Sequence, residues 1–131
     1  MQKQELQVSK TARYFTLGEL NKATKKIWFV LHGYAQTADD FLTSVKGLQN
    51  ENSFIVAPEG LSRFYWKDFT NNPVASWMTK TDREVDILDN TKYLNEMYRF
   101  ILNDFDLNVF TNAIDETLWK GSLNKYTEID F

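Results

Sequence analysis

The sequence predicts an α/β fold, with one or more N-terminal antiparallel edge strands followed by parallel strands and flanking helices. Three observations predict it. Ile27-Trp-Phe-Val-Leu31 and Phe54-Ile-Val-Ala57 are short apolar runs rich in β-branched and aromatic residues, as in strands covered on both faces. A short helical pattern lies between them. Further on, Ile87, Thr91, Leu94, Tyr98, Ile101 and Phe105 alternate steps of four and three, the stripe of an amphipathic helix facing a sheet.

Each element has a local reason. Residues 5–17 hold Leu6, Val8, Tyr14, Phe15 and Leu17 and read as one long strand or a hairpin at a sheet edge. After the first buried strand, Thr37 is placed to cap a helix, with Asp39 and Asp40 in the first turn where the helix dipole favours negative charge. Phe41, Val45 and Leu48 follow at helical spacing, and Gly47 with Asn50 marks the exit. Pro58-Glu59-Gly60 closes the second buried strand. Strand, helix, strand is a βαβ unit, so the two strands are expected to be parallel. His32-Gly33 and Pro58-Glu59-Gly60 then share the carboxyl edge of the sheet, where open α/β folds bind ligands. Residues 61–81 read as an irregular aromatic stretch, ending in Thr81-Asp-Arg-Glu84, the pattern of a capping box. Leu107–Thr111 is a candidate third strand, and residues 112–131 show no clean period.

A chain of 131 residues is one domain's worth. It is long enough to bury roughly two thirds of its unfolded surface. Hydrophobic residues make up 43% and charged residues 25%, ordinary for a globular protein. With 10 Phe, 6 Tyr and 4 Trp, the aromatic content favours a packed core or an aromatic-walled pocket. The formal charge of −3 supplies no basic field, so nucleic acid is not an expected partner. There is no cysteine, which excludes disulfides, thiolate metal sites and a cysteine nucleophile. Met1-Gln-Lys-Gln-Glu-Leu6 lacks the apolar stretch of a secretory signal, and no apolar run is long enough to span a membrane. A cytoplasmic location is the default expectation.

His32 is the only histidine, and it ends a buried strand. No second histidine or cysteine is present to share a metal with it, so neither metal nor cofactor is expected. Gly33 suits a tight exit from the strand, after which free amides above the sheet could hold an oxyanion. Asp82, Asp86 and Asp89 fall on one helix face; with Arg83, Lys92 and Arg99 nearby they read as a solvated face rather than a cation site. Glu59 is expected to bond loop amides and fix the turn after Pro58.

Three segments, "WFVLHGYAQTADDF", "FIVAPEGLSRFYW" and "ASWMTKTDREVDILDNTKYL", carry a resemblance. In order and spacing, from about Val8 to Leu107, the chain resembles the N-terminal half of the phospholipase/carboxylesterase group of α/β-hydrolases. The resemblance implies an incomplete α/β-hydrolase-like sheet in a single domain over 1–131, family-like to about 107 with a divergent tail over 108–131. It also implies that His32-Gly33-Tyr34-Ala35 is the oxyanion loop, with the Tyr34 amide as one donor. Such loops usually carry a further glycine at the place of Ala35, so a positive φ there would strain the alanine. Glu59, Ser76 and Trp77 match segments that wall the acyl pocket, and Phe64, Tyr65 and Trp66 would line or cover it.

The departures concern the chemistry. The family works through a serine in G-x-S-x-G with a later aspartate and histidine. Here the only glycine past position 60 is Gly121, directly before Ser122, and no histidine follows His32. Without a base, Ser122 is an ordinary alcohol at neutral pH. The expected activity by resemblance is carboxylic-ester hydrolysis, absent from this chain alone because no catalytic triad is present. The alternative is a non-catalytic binding module or pseudo-enzyme with an aromatic acyl- or sugar-binding pocket. A truncated or frameshifted gene, a split gene and a true short protein all remain open. The expected partners are a small-molecule ester or acyl ligand, and either another copy or a complementing half through an open sheet edge.

Overall fold

The computed structural model describes residues 1–102 and the backbone of residues 126–130. The elements in order are β1 (Tyr14–Leu17), β2 (Lys26–Val30), α1 (Ala38–Ser44), a 3-10 turn (Lys46–Leu48), β3 (Ser53–Pro58), β4 (Ser62–Tyr65), β5 (Pro73–Ser76), α2 (Arg83–Leu102) and β6 (Tyr126–Asp130). The architecture is mixed α/β, with two small sheets and two α-helices among the described residues.

The larger sheet has the order β1-β3-β2-β6. β2 and β3 are parallel, with Trp28 opposite Ile55, and β1 is antiparallel to β3, with Phe15 opposite Ala57. The two central strands are buried because each face has its own cover. Ile27, Phe29, Leu31, Phe54 and Val56 form one core with Leu94, Met97, Tyr98 and Leu102 of α2. Trp28, Val30, Ile55 and Ala57 form a second core with Ala38 and Leu42 of α1. Each fully buried Ile or Val of these strands contributes about 1.5–3 kcal/mol relative to exposure. The continuous apolar runs are therefore central strands between two helical layers.

Four expectations are revised. Only Tyr14–Leu17 of the 5–17 segment is strand, and Leu6 and Val8 are exposed. Pairing needs an opposite residue, and the register reaches the end of β3 where Tyr14 meets Pro58. The 61–81 stretch is not irregular throughout: β4 and β5 form an antiparallel hairpin, with Phe64 opposite Val74. The helix N-termini are satisfied differently from the local motifs. Thr37 makes no side-chain cap bond to α1. At α2 the Thr79 amide donates to Asp86 Oδ2 at 3.1 Å and the Thr79 hydroxyl to the Thr81 carbonyl at 2.9 Å, while Asp82 takes a φ of 54° just before the helix. Finally, residues 126–130 form β6, antiparallel to β2, so β2 is an interior strand. The edge strands of this sheet among the described residues are β1 and β6. Leu107–Thr111, Phe105 and Ser122 lie outside the described residues.

No helix among the described residues is long and apolar enough to cross a membrane.

Candidate functional site

Parallel β2 and β3 bring their carboxyl ends to one edge, and His32 joins them there. The His32 side chain is 0% exposed. Its Nδ1 lies 2.7 Å from the Gly33 carbonyl and its Nε2 accepts from the Gly60 amide at 2.9 Å. A carbonyl can only accept and an amide can only donate, so the ring is neutral with its proton on Nδ1. Burial holds the imidazole below the ordinary histidine range, against the opposing pull of the Gly33 carbonyl and the Glu59 carboxylate. Trp77 stacks on the ring at 5.1 Å, and its indole N–H donates to the His32 carbonyl at 2.9 Å. Both ring nitrogens are engaged in fixing backbone. His32 is a strut between two strand ends.

The loop that follows uses most of its amides internally. Gly33 N–H donates to the Gln36 side-chain oxygen at 2.6 Å, Ala35 N–H to the Ala75 carbonyl at 3.0 Å, and Gln36 N–H to the Gly33 carbonyl at 3.3 Å. Ala75 N–H returns a bond to the Gln36 carbonyl at 2.9 Å, so the loop is laced to β5. The Tyr34 amide has no acceptor among the described residues. Ala35 has a φ of 59°, left-handed backbone that an alanine adopts only at a cost. The lacing to Ala75 on both sides of this residue holds the strained turn.

Glu59, at the end of β3, is 2% exposed and is wired in four directions. Its carboxylate accepts from Arg13 Nε at 2.5 Å and Arg13 Nη2 at 3.0 Å, and Oε2 also accepts from the Ala38 amide at 3.1 Å. The first amide of α1 is thus capped by a carboxylate from another strand. Glu59 N–H donates to the Arg13 carbonyl at 3.1 Å, and Tyr93 of α2 donates its hydroxyl to the Glu59 carbonyl at 3.1 Å. Burial alone would raise the Glu59 pKa; the Arg13 guanidinium and the Ala38 amide outweigh it and hold the carboxyl below its usual range. Next to it Gly60 lies so close to β5 that an added Cβ would sit 2.6 Å from the Ser76 carbonyl oxygen.

The aromatic residues divide into two groups. Trp77 is 3% exposed, between His32 and Tyr93, and belongs to the core. Ser76 is buried and donates its hydroxyl to the Met78 carbonyl at 3.0 Å. Tyr34 instead is 60% exposed; its ring packs on Phe64 at 5.5 Å and meets the edge of Trp66 at 5.9 Å. Tyr65 is exposed at the end of β4. The hairpin therefore brings Phe64 and Trp66 to the residue with the vacant amide, while Ser76 and Trp77 lie beneath. A separate groove of about 370 Å³, lined by Ala12, Tyr14, Tyr93, Glu96, Met97 and Phe100, includes none of the site residues expected from sequence.

One amide donor beside exposed aromatic rings can bind an oxygen anion carrying an apolar group. The described serines do not form a nucleophile–base pair: the Ser44, Ser53 and Ser76 hydroxyls donate to backbone carbonyls, and both nitrogens of His32 are taken. No group of three His, Cys, Asp or Glu placed to hold a metal ion occurs among the described residues. Asp82 pairs with Lys3 at 2.7 Å and Asp86 accepts from Thr79. Sequence reading missed Arg13, Gln36 and Tyr93. Arg13 lies 46 residues from its carboxylate, and no local pattern links them. No family model, curated protein or solved structure matches the chain.

Proposed function

We propose that these residues form the oxyanion loop and the acyl-facing wall of a carboxylic-ester hydrolase of the phospholipase/carboxylesterase group, on the N-terminal part of an α/β-hydrolase sheet. By themselves they bind an ester or acyl ligand without turning it over. The observation that carries the reading is the Tyr34 amide, which has no acceptor among the described residues and lies at the carboxyl edge of β2 in a turn with Ala35 at φ 59°. A preorganised amide aimed at a developing alkoxide is what acyl transfer needs. The order of an antiparallel edge strand, two parallel strands and a helix on each face supports the same reading. The missing step is nucleophilic attack, because the chain holds no histidine other than His32.

Two measurements test it. Turnover of a short-chain nitrophenyl ester is expected at the buffer background, and serine-dependent turnover would show that the chain is catalytically complete. Octanoate, whose carboxylate oxygen stands in for the oxyanion, is titrated into isotopically labelled protein. The Tyr34 and Ala35 amide resonances are expected to move together. Shifts confined to the Tyr14–Tyr93–Phe100 groove would overturn the oxyanion-loop reading.

The second reading, a non-catalytic binding module, rests on the exposed rings of Tyr34, Tyr65, Trp66 and Phe69. It predicts ligand shifts at those side chains with the Tyr34 amide unmoved.

A further inference from the structure

The β4–β5 hairpin projects aromatic side chains at its tip without covering them. Phe69 is 79% exposed and Trp66 43% exposed, with Tyr65 and Tyr34 also open to solvent. The tip is held in this shape by its own bonds. Asp68 N–H and the Asn71 side chain both donate to the Trp66 carbonyl, at 2.9 and 3.0 Å. The Asp68 carboxylate is turned inward, accepting from the amide of Thr70 at 2.8 Å and from its hydroxyl. Lys67 takes a φ of 69° at the turn.

The rings leave no slot for a small ligand between them. Tyr34, Phe64 and Trp66 have centroids 5.5–6.3 Å apart, which is direct contact. What they offer is an outward apolar surface with polar edges on Trp66, Tyr65 and Tyr34. Its charges have one prevailing sign. Arg63 on β4 and Lys67 at the tip have no acidic partner among the described residues, and Lys10 reaches the Leu61 carbonyl at the base of the hairpin. Asp68 at the tip keeps its negative charge, its carboxyl held below the usual range by the hydroxyl and amide of Thr70, so Arg63 and Lys67 outnumber it by one. This small positive excess sits on a chain whose formal charge is −3.

Tryptophan and tyrosine favour the water–hydrocarbon boundary, where the ring body is apolar and one end stays wet. Lysine and arginine beside them keep their heads at the anionic surface while their stems lie along apolar groups. We propose that the hairpin tip Tyr65–Phe69, with Arg63 and Lys67, docks on an anionic lipid surface. Trp66 and Phe69 enter the headgroup boundary there, and the Tyr34 loop faces the same surface. The proposal goes beyond the ester-hydrolase reading. Vesicle binding is measured without hydrolysis, so either idea can fail while the other stands.

The test is co-sedimentation of the full chain with vesicles of phosphatidylcholine alone and of phosphatidylcholine mixed with phosphatidylglycerol. Partition into the mixed vesicles is expected, weakening as salt is added. The Trp66→Ala, Phe69→Ala double variant is expected to lower it about tenfold. Arg63→Glu with Lys67→Glu is expected to remove the preference for the anionic lipid. All four positions are exposed, and thermal melts check that each variant folds. Brominated lipids supply a measurement that needs no variant: tryptophan emission is expected to be quenched on binding. No partition into either vesicle, or partition unchanged in the double variant, would overturn the proposal. So would concentration-dependent self-association abolished by the same substitutions, since the surface would then belong to a second copy of the chain.

Discussion

Replacing His32 separates its two structural jobs, filling volume and bonding backbone. In His32→Phe the ring volume and the stack on Trp77 are retained, while Gly60 N–H loses its acceptor and the Gly33 carbonyl keeps only the Gln36 amide as donor. A buried donor left unsatisfied costs about 1–3 kcal/mol. In His32→Ala the same bonds are lost and a cavity opens: about 60 Å³ of imidazole at about 24 cal/mol per Å³ adds about 1.5 kcal/mol. Urea unfolding is therefore expected to rank wild type above Phe by about 2 kcal/mol and above Ala by about 3–4 kcal/mol. The single histidine also gives a single imidazole resonance. Because burial lowers its folded pKa, the stability tied to neutral His32 is whole above the unfolded value of about 6.5. It is lost as pH falls through the folded value. A Phe variant within about 0.5 kcal/mol of wild type would refute the bonding role. An imidazole titrating at its ordinary midpoint would refute the buried, Nδ1-protonated assignment.

Two further substitutions probe the same edge. Ala35→Gly removes the cost of left-handed backbone, about 1–2 kcal/mol, and gives back about 0.4–1 kcal/mol in unfolded-chain entropy. A net gain of about 0.5 kcal/mol is expected in denaturant melts, and a loss would mean that the turn is not strained. Glu59→Gln is expected to cost about 1–2 kcal/mol at neutral pH, moderated because the Arg13 side chain is half-exposed and can be rehydrated. Since the Glu59 pKa is depressed, its contribution is present above the unfolded value of about 4.5 and lost as pH falls through the folded one. The stability gap between wild type and variant should therefore narrow in acid; a pH-independent gap would contradict the charge-assisted role.

Much of the fold was legible because its signals are local. Ile27–Leu31 and Phe54–Ala57 announce covered strands by composition, and the stripe Ile87–Leu94–Tyr98–Ile101 announces α2 by period. Glu59 is an amide acceptor as expected, but not of the loop after Pro58: its carboxylate takes the first amide of α1, at Ala38, and the Arg13 guanidinium. The hairpin was not legible, since Phe64, Tyr65 and Trp66 show no alternation, and Ser62–Tyr65 pair with Pro73–Ser76 across the long loop 66–72 rather than a short turn. Nor was β6, because its pairing depends on β2, distant in sequence. The capping box at Thr81 is a short motif displaced by another local bond, from the Thr79 amide to Asp86.

By itself, the sequence determined which segments could be buried, that the chain has one histidine and no cysteine, and that no later histidine is present to serve as base. These are properties of residue identity and spacing, which need no third dimension. Only the tertiary structure decided what His32 and Glu59 do. Their partners, Gly60, Trp77, Arg13 and Ala38, come from segments distant in sequence. A buried polar side chain takes its protonation and role from whichever donors and acceptors folding brings within about 3 Å of it.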